Sequence, residues 1–234
     1  MVDDFDNRAL HLTALYNLPE IARILCIVKN INVNVKNQKR ATPLVDSALV
    51  GSKEVVSILL KKPGIDLNPM ALIQEENYST AHVSALHCCE SPEIAKMLLD
   101  HDSRIANLVN GDGLTVMGYW LRQRASTGPY SDAAYERGLL ALLDLLLKRD
   151  ALKTLDLCIS EFKSDSALRE AARVQSLAIF KNLWNDKRLD HEEIDDAGDT
   201  LLHAAASHGN VKVVRFLLDE GADPTLQNKQ VRLP

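Results

Sequence analysis

A unit that recurs along a chain limits the possible folds more than composition does. Each copy must bury its apolar face against its neighbours, so the copies stack. The clearest unit here is "GDTLLHAAASHGNVKVVRFLLDEGADP", residues 198–224. Thr200 can cap a helix N-terminus. Ala205 and Ala206 are small enough to admit a neighbouring helix at close range. Gly209 and Gly221 supply backbone angles that residues with a Cβ avoid. Val213, Val214, Leu217 and Leu218 form one apolar face at helical spacing.

Weaker copies fall in the same register. "RALHLTALYNLPEIARILC" places Leu10, His11, Ala14, Ile21 and Leu25 in equivalent slots. "ATPLVDSALVGSKEVVSILLKKPGIDLN" carries Thr42, Pro43, Leu44, Ala48, Gly51, Val55, Val56, Leu59 and Leu60. "SALHCCESPEIAKMLL" keeps Leu86, His87, Ile94, Leu98 and Leu99 across a shortened turn. "DGLTVMGYWLRQ" opens a fourth copy whose second helix is delayed to "RGLLALLDLLL", and "SALREAARVQSLAIFKNLW" is a fifth. Six copies therefore start near residues 8, 42, 84, 115, 166 and 200.

The order of these slots resembles the ankyrin repeat, with its Thr-Pro-Leu-His turn, two helices, Gly-His turn and Gly-Ala-Asp lead into a hairpin loop. The resemblance implies an all-α ankyrin-repeat solenoid of about six stacked helix pairs with hairpin loops, forming one domain over residues 1–234. It leaves a long insertion in the fourth repeat, residues 122–137, and an extra helix before the fifth, over "ALKTLDLCISEF". A period of about 33 residues places the next threonine slot at Leu233. The chain is thus expected to stop inside a seventh repeat, at residues 231–234, as an excised segment of a longer protein. The alternative is a natural terminus decayed from a repeat.

Bulk properties exclude several classes. The net charge of −5 opposes a general nucleic-acid binder, which needs clustered Lys and Arg. The most apolar run, residues 138–147, contains Asp144 and is too short to span a bilayer. Cys26, Cys88, Cys89 and Cys158 show no paired spacing, so reduced thiols in an intracellular, cytoplasmic setting are expected. Such degenerate arrays resemble those of secreted bacterial effectors, which would put the chain in a host cytoplasm, and equally those of divergent eukaryotic adaptors.

No catalytic or metal chemistry is indicated. His11, His87 and His203 share the repeat's histidine slot, where the resemblance implies a ring bonded to neighbouring backbone. No Cys-x-x-Cys, His-Glu-x-x-His or phosphate loop is present. No cofactor and no metal are expected, and the chain is not expected to be an enzyme. The acidic run "LDHEEIDDAGD" lacks calcium-loop spacing and reads as a solvated acidic finger, whereas "VKNQKRA" is a basic one. Opposite charge on these two fingers would steer an oppositely polarised partner.

The resemblance implies a protein-binding module, expected as a monomer, that uses finger tips and the ends of the inner helices. Carried over by register, the partner-binding positions are Leu15 and Tyr16 in the first repeat, and Gln38, Lys39, Ala41, Leu49 and Val50 in the second. The fourth supplies Asp112, Leu114, Arg122 and Gln123, the fifth Arg173 and Val174, and the sixth Asp196, Asp199, Ser207 and His208. Leu15, Tyr16, Leu49 and Val50 either form an exposed interface or pack beneath the N-terminal arm. Tyr119 and Trp120 are candidate aromatic anchors. Trp120 occupies a small-residue slot, so either the fourth repeat opens there or the register slips; the alternative to an anchor is core packing with the insertion folded over it. The runner-up function is the substrate-targeting region of a larger enzyme or effector whose catalytic domain follows residue 234.

Overall fold

Hydroxyl and amide side chains stand at the head of most helices and set where each begins. Thr42, Ser91, Ser166, Ser176, Thr200 and Asn210 each accept a hydrogen bond from the backbone N–H three residues on. Pro19, Pro43 and Pro92 occupy first helical positions, where a missing N–H costs nothing. The computed structural model describes residues 6–74, 80–89, 91–126, 133–147, 166–174, 176–187 and 189–230. The expected extra helix over 151–162 and the seventh-repeat residues 231–234 lie outside these.

Contacts divide the chain into two compact units, Met1–Val116 with Asp144–Leu152, and Met117–Leu143 with Lys153–Pro234. The first unit holds the pairs α1 (Ala9–Leu15) and α2 (Pro19–Ile27), then α3 (Pro43–Leu49) and α4 (Lys53–Leu60). The inner helices α1 and α3 pack side by side, as do the outer helices α2 and α4, and α5 (Pro92–His101) continues the outer row. A 3-10 turn, Ser103–Asn107, follows α5. Ala14, Leu44, Val55, Val56, Leu59, Ile94 and Leu98 are fully enclosed and form this unit's core.

The third repeat departs from the expected helix pair. Its first helix is reduced to one turn, closed by the Cys88 N–H donating to the Ser84 carbonyl, 3.2 Å. The shortened inter-helix segment leaves no room for more. The long link before it is a β-hairpin, β1 (Ala71–Gln74) antiparallel to β2 (Thr80–Val83), with Leu72 opposite His82. The fold is therefore mostly helical with a two-stranded sheet in place of one finger. The Leu72 N–H donates to the Lys39 carbonyl and the Gly111 N–H to the His82 carbonyl, so fingers flank the hairpin on both edges. A Cβ at Gly111 would stand 2.6 Å from that of His82, which explains the glycine.

The second unit holds α6 (Val116–Ser126), most of α7 (Ala133–Leu147), α8 (Ala167–Arg173), α9 (Leu177–Trp184), α10 (Leu201–Ser207) and α11 (Val211–Asp219). Inner α8 packs on α10, α8 packs on the outer helix α9, and α10 on α11. Most of the expected 122–137 insertion is absorbed by the helices themselves, since α6 runs to Ser126 and α7 begins at Ala133.

Gly198 has φ +82°, and a Cβ there would lie 2.9 Å from the Lys229 nitrogen. Gly198→Ala is expected to destabilise the second unit by about 2 kcal/mol, combining left-handed strain with that clash. Urea unfolding would measure the loss, and an unchanged midpoint would contradict it.

Candidate functional site

The finger tips and inner-helix ends are held by two sets of side chains that recur from repeat to repeat. In the first set, the histidine slot of one repeat grips the carbonyl that precedes the next repeat's helix. His11 Nε2 lies 3.1 Å from the Ala41 carbonyl and His87 Nε2 3.4 Å from that of Leu114. His87 is buried neutral, its pKa lowered to about 4 by desolvation. In the fifth repeat the slot holds Arg169, whose Nη2 donates to the Asp199 carbonyl at 2.9 Å. The slot is legible from "SALR" aligned on "TLLH", yet the sequence reading passed over it.

The second set closes each finger on itself. Asn37 Oδ1 accepts from the Ala41 N–H, Asn110 Oδ1 from that of Leu114, and Asp195 Oδ1 from that of Asp199. The carboxyamide or carboxylate mimics a turn of backbone. Asn37 also donates to Asn7, and Asn228 to Asp199, so successive fingers are joined side chain to side chain. Within the tips, Arg40 is held at φ +58° where Gly113 and Gly198 stand in other copies.

These ties change the reading of the acidic finger. Glu193 and Asp195 turn inward, forming ion pairs with buried Arg169 at 3.6 and 3.4 Å. Ser166 Oγ also donates to Glu193. Only Asp190, Glu192 and Asp196 are exposed there as the sequence suggested. His191 stacks on Trp184 at 3.8 Å between ring centres and pins the finger to α9.

The candidate binding positions separate by burial. Tyr16, Gln38, Lys39, Leu49 and Val50 are exposed in the first unit, with Leu15 half-buried. Leu49 and Val50 are the last residue and the C-cap of α3, which packs beside α1, whose last residue and C-cap are Leu15 and Tyr16. Most of the N-terminal arm beneath which these four residues could instead pack, residues 1–5, lies outside the described residues. Asp112 is exposed on its finger, as are Arg122 in α6 and Asp196, Ser207 and His208 in the sixth repeat. Gln123, Arg173 and Asp199 are partly covered, Arg173 by an ion pair with Glu170 at 2.9 Å.

Five expected positions are corrected. Ala41 and Leu114 are buried because their carbonyls are drawn inward by the histidine slot. Val174 is buried because the chain leaves α8 with extended backbone, ψ 129°, where Val50 and His208 stay near ψ 0°. Tyr119 and Trp120 are core residues, 8% and 5% exposed, and offer no anchor to a partner.

Asp46 lies beneath the second finger, buried, and accepts a hydrogen bond from Asn37 at 3.4 Å. Burial raises its pKa to about 7, against the pull of Lys39. The folded state therefore binds a proton that the unfolded chain releases near pH 4. This group's contribution to stability declines as pH rises from about 4 to about 7 and is constant above. Asp46→Asn is expected to raise stability by more than about 1 kcal/mol at pH 8 and by little at pH 4. Denaturant curves at the two pH values check this, and equal effects would contradict it.

Among the described residues no group of His, Cys, Asp and Glu is placed to hold a metal ion. Cys26, Cys88 and Cys89 are buried. No helix among those residues is long and apolar enough to cross a membrane.

Known proteins share this organisation. A family model of ankyrin repeats in three copies matches residues 1–71 and 131–228. The chain is 26% identical over 234 residues to the nuclear factor NF-kappa-B p105 subunit of Gallus gallus, covering 97% of this chain and 21% of that protein. It is 25% identical to the E3 ubiquitin-protein ligase KEG of Arabidopsis thaliana, over 97% of this chain and 15% of that protein. A 41-residue stretch, 18% of the chain, is 54% identical to 6% of the tRNA endonuclease ANKZF1 of Homo sapiens. The chain thus spans about a fifth or less of the length of these relatives. The crystal structure of the ankyrin repeat domain of Bcl-3 matches with a TM-score of 0.71 at 21% identity, covering 97% of this chain and 92% of that one. The family match covers more than half of the residues, and the helix pairs, gripped carbonyls and fingers follow the same register: the chain belongs to the ankyrin-repeat family.

Proposed function

We propose that this chain binds a partner protein through exposed finger tips and inner-helix ends, without catalysis of its own. Ankyrin repeats are in general protein-binding modules. The observation that carries the finer reading is in the first unit. Tyr16, Leu49 and Val50 are 69%, 43% and 46% exposed, on inner-helix ends where solvent would favour polar residues. Gln38 and Lys39 stand on a finger locked by Asn37 and by its bond to β1, so they are presented without a large ordering cost. Buried cysteines without paired spacing fit an intracellular setting.

A test is affinity capture from cell lysate with quantitative mass spectrometry. Wild type is compared with Leu49→Asp/Val50→Asp, with Lys39→Glu and with the distant control Lys212→Glu. Specific proteins should be lost with the first two variants and kept with the control. Identical capture by all four would reject this surface.

A second reading follows from the relatives. Two of them, a ubiquitin ligase and a tRNA endonuclease, are named as enzymes and match this chain over only a small share of their length. This supports a targeting role within a longer enzyme. Locating the coding sequence on either side of these residues distinguishes the two readings.

A further inference from the structure

Leu49 and Val50 owe their exposure to a step inside the array, not to a chain end. The helix that carries them, α3, has a repeat on either side. On one side α1 packs against it, and on the other the Cys88 thiol reaches the Val45 carbonyl, 3.9 Å. Ten positions run from Thr42 to the α4 cap Ser52, but only seven from Ser84 to the α5 cap Ser91. The third repeat therefore has no counterparts of Leu49, Val50 and Gly51, and its one-turn inner helix stops short of them. The charges on the neighbouring finger and inner helices have one sign. Over residues 6–18 and 36–52 the exposed charged residues are Arg8, Lys36, Lys39 and Arg40. Two acids lie in the same stretches. Asp6 is half-buried, and Asp46 is enclosed, where burial raises its pKa to about 7 and leaves only part of a charge at neutral pH. Lys36, Lys39 and Arg40 make no ion pair among the described residues.

We propose that the second repeat binds an acidic segment of a protein partner, with carboxylates on Lys36, Lys39 and Arg40 and apolar side chains on Leu49 and Val50. Resting on the protein-binding reading above, this adds the chemistry of the partner. Opposite charge draws the segment in and sets its direction, and the aliphatic step holds it where water is excluded. The finger is ready for it, since the Lys39 carbonyl accepts from the Leu72 N–H at 2.7 Å. A nucleic acid would match the charge but not the step, and the net charge of −5 opposes it. The seven residues of α3 separate finger from step by about 10 Å. An extended chain covers that distance in about three residues. Carboxylates and apolar anchors of the partner should therefore stand about three to five residues apart.

Selection of a phage-displayed library of random peptides on the whole chain tests this. Enriched peptides should carry net negative charge, with an aliphatic or aromatic residue at the stated distance from the acidic group. The tightest, made synthetically and followed by fluorescence anisotropy, should lose about tenfold or more in affinity on Lys39→Glu/Arg40→Glu and on Leu49→Ser/Val50→Ser. Both variants are confirmed as folded by circular dichroism; Lys36→Glu/Lys39→Glu and Val50→Ser replace them if they fail to fold. Lys212→Glu, in the second unit, should leave affinity unchanged. No enrichment, enriched peptides without net negative charge, or undiminished affinity after the finger substitutions each overturn the proposal. Poly-glutamate that binds as tightly as the selected peptide also overturns it, since charge alone would then suffice. If lysate capture is still lost on Leu49→Asp/Val50→Asp in any of these cases, the docking surface stands and only the acidic partner is discarded. If capture too is unchanged, both fall.

Discussion

Replacing Arg169 by alanine is expected to destabilise the second unit by about 3–5 kcal/mol. The guanidinium is buried, with its side chain 1% exposed, and serves three carbonyls, those of Glu193, Asp199 and Thr200. It also faces the carboxylates of Glu193 and Asp195. Truncation leaves those two negative charges together in a poorly solvated site, which costs more than the hydrogen bonds themselves. Arg169→Met tests the origin of the loss, since it keeps most of the volume and removes the charge and its hydrogen bonds. Its penalty should stay close to that of the alanine variant if the unpaired carboxylates, and not the lost volume, set the cost. Combined with Asp195→Asn, it should show a coupling above about 1 kcal/mol in chemical unfolding. Strict additivity of the two changes would mean that the pair is not a working contact.

Phe180→Ala is expected to cost about 3–5 kcal/mol. The ring is fully buried in α9, packed against Trp184 at 5.6 Å and edge-on to Phe216 at 5.8 Å. The equivalent positions hold Ala22 and Val56, so the volume here is specific to this repeat. The loss combines transfer of the ring to water with a cavity that Trp184 can fill only in part. Lys181, already exposed, has its Nζ 4.8 Å from the Phe216 ring centre and would lose that contact as the ring moves. Unfolding followed through Trp184 fluorescence should show an earlier transition. A shift equivalent to less than about 1 kcal/mol would mean that the cluster repacks without a void.

The repeat register was legible because its slots carry unusual chemistry: a histidine among apolar residues, paired small residues, and glycines at turns. Where one of these slots was filled by a different residue type, sequence reasoning failed. Arg169 does the work of a histidine, but a charged residue in an apolar run reads as a surface position. The strands 71–74 and 80–83 were not legible, because they are short and their outer edges bond to backbone groups of flanking fingers, Lys39 and Gly111. The helical lengthening of α6 was missed because "RQRAS" is polar and reads equally well as loop.

The binding positions were legible in part. Register left Tyr16, Leu49 and Val50 either exposed or packed beneath the N-terminal arm, and all three are exposed. The burial of Ala41 and Leu114 does not follow from register, because it depends on a carbonyl gripped from thirty or twenty-seven residues away. That of Val174 depends on one backbone angle, which no side-chain pattern encodes.

The central claim is that each finger is held from the repeat before it, so that its tip is presented in a set shape. Amide hydrogen exchange of His11→Ala and Arg169→Ala measures this most directly. Faster exchange is predicted in the finger of the following repeat, at Ala41 in the first variant and Asp199 in the second, while the substituted helices change less. Exchange that quickens only around the substituted residue, with the next finger as protected as in wild type, would contradict it.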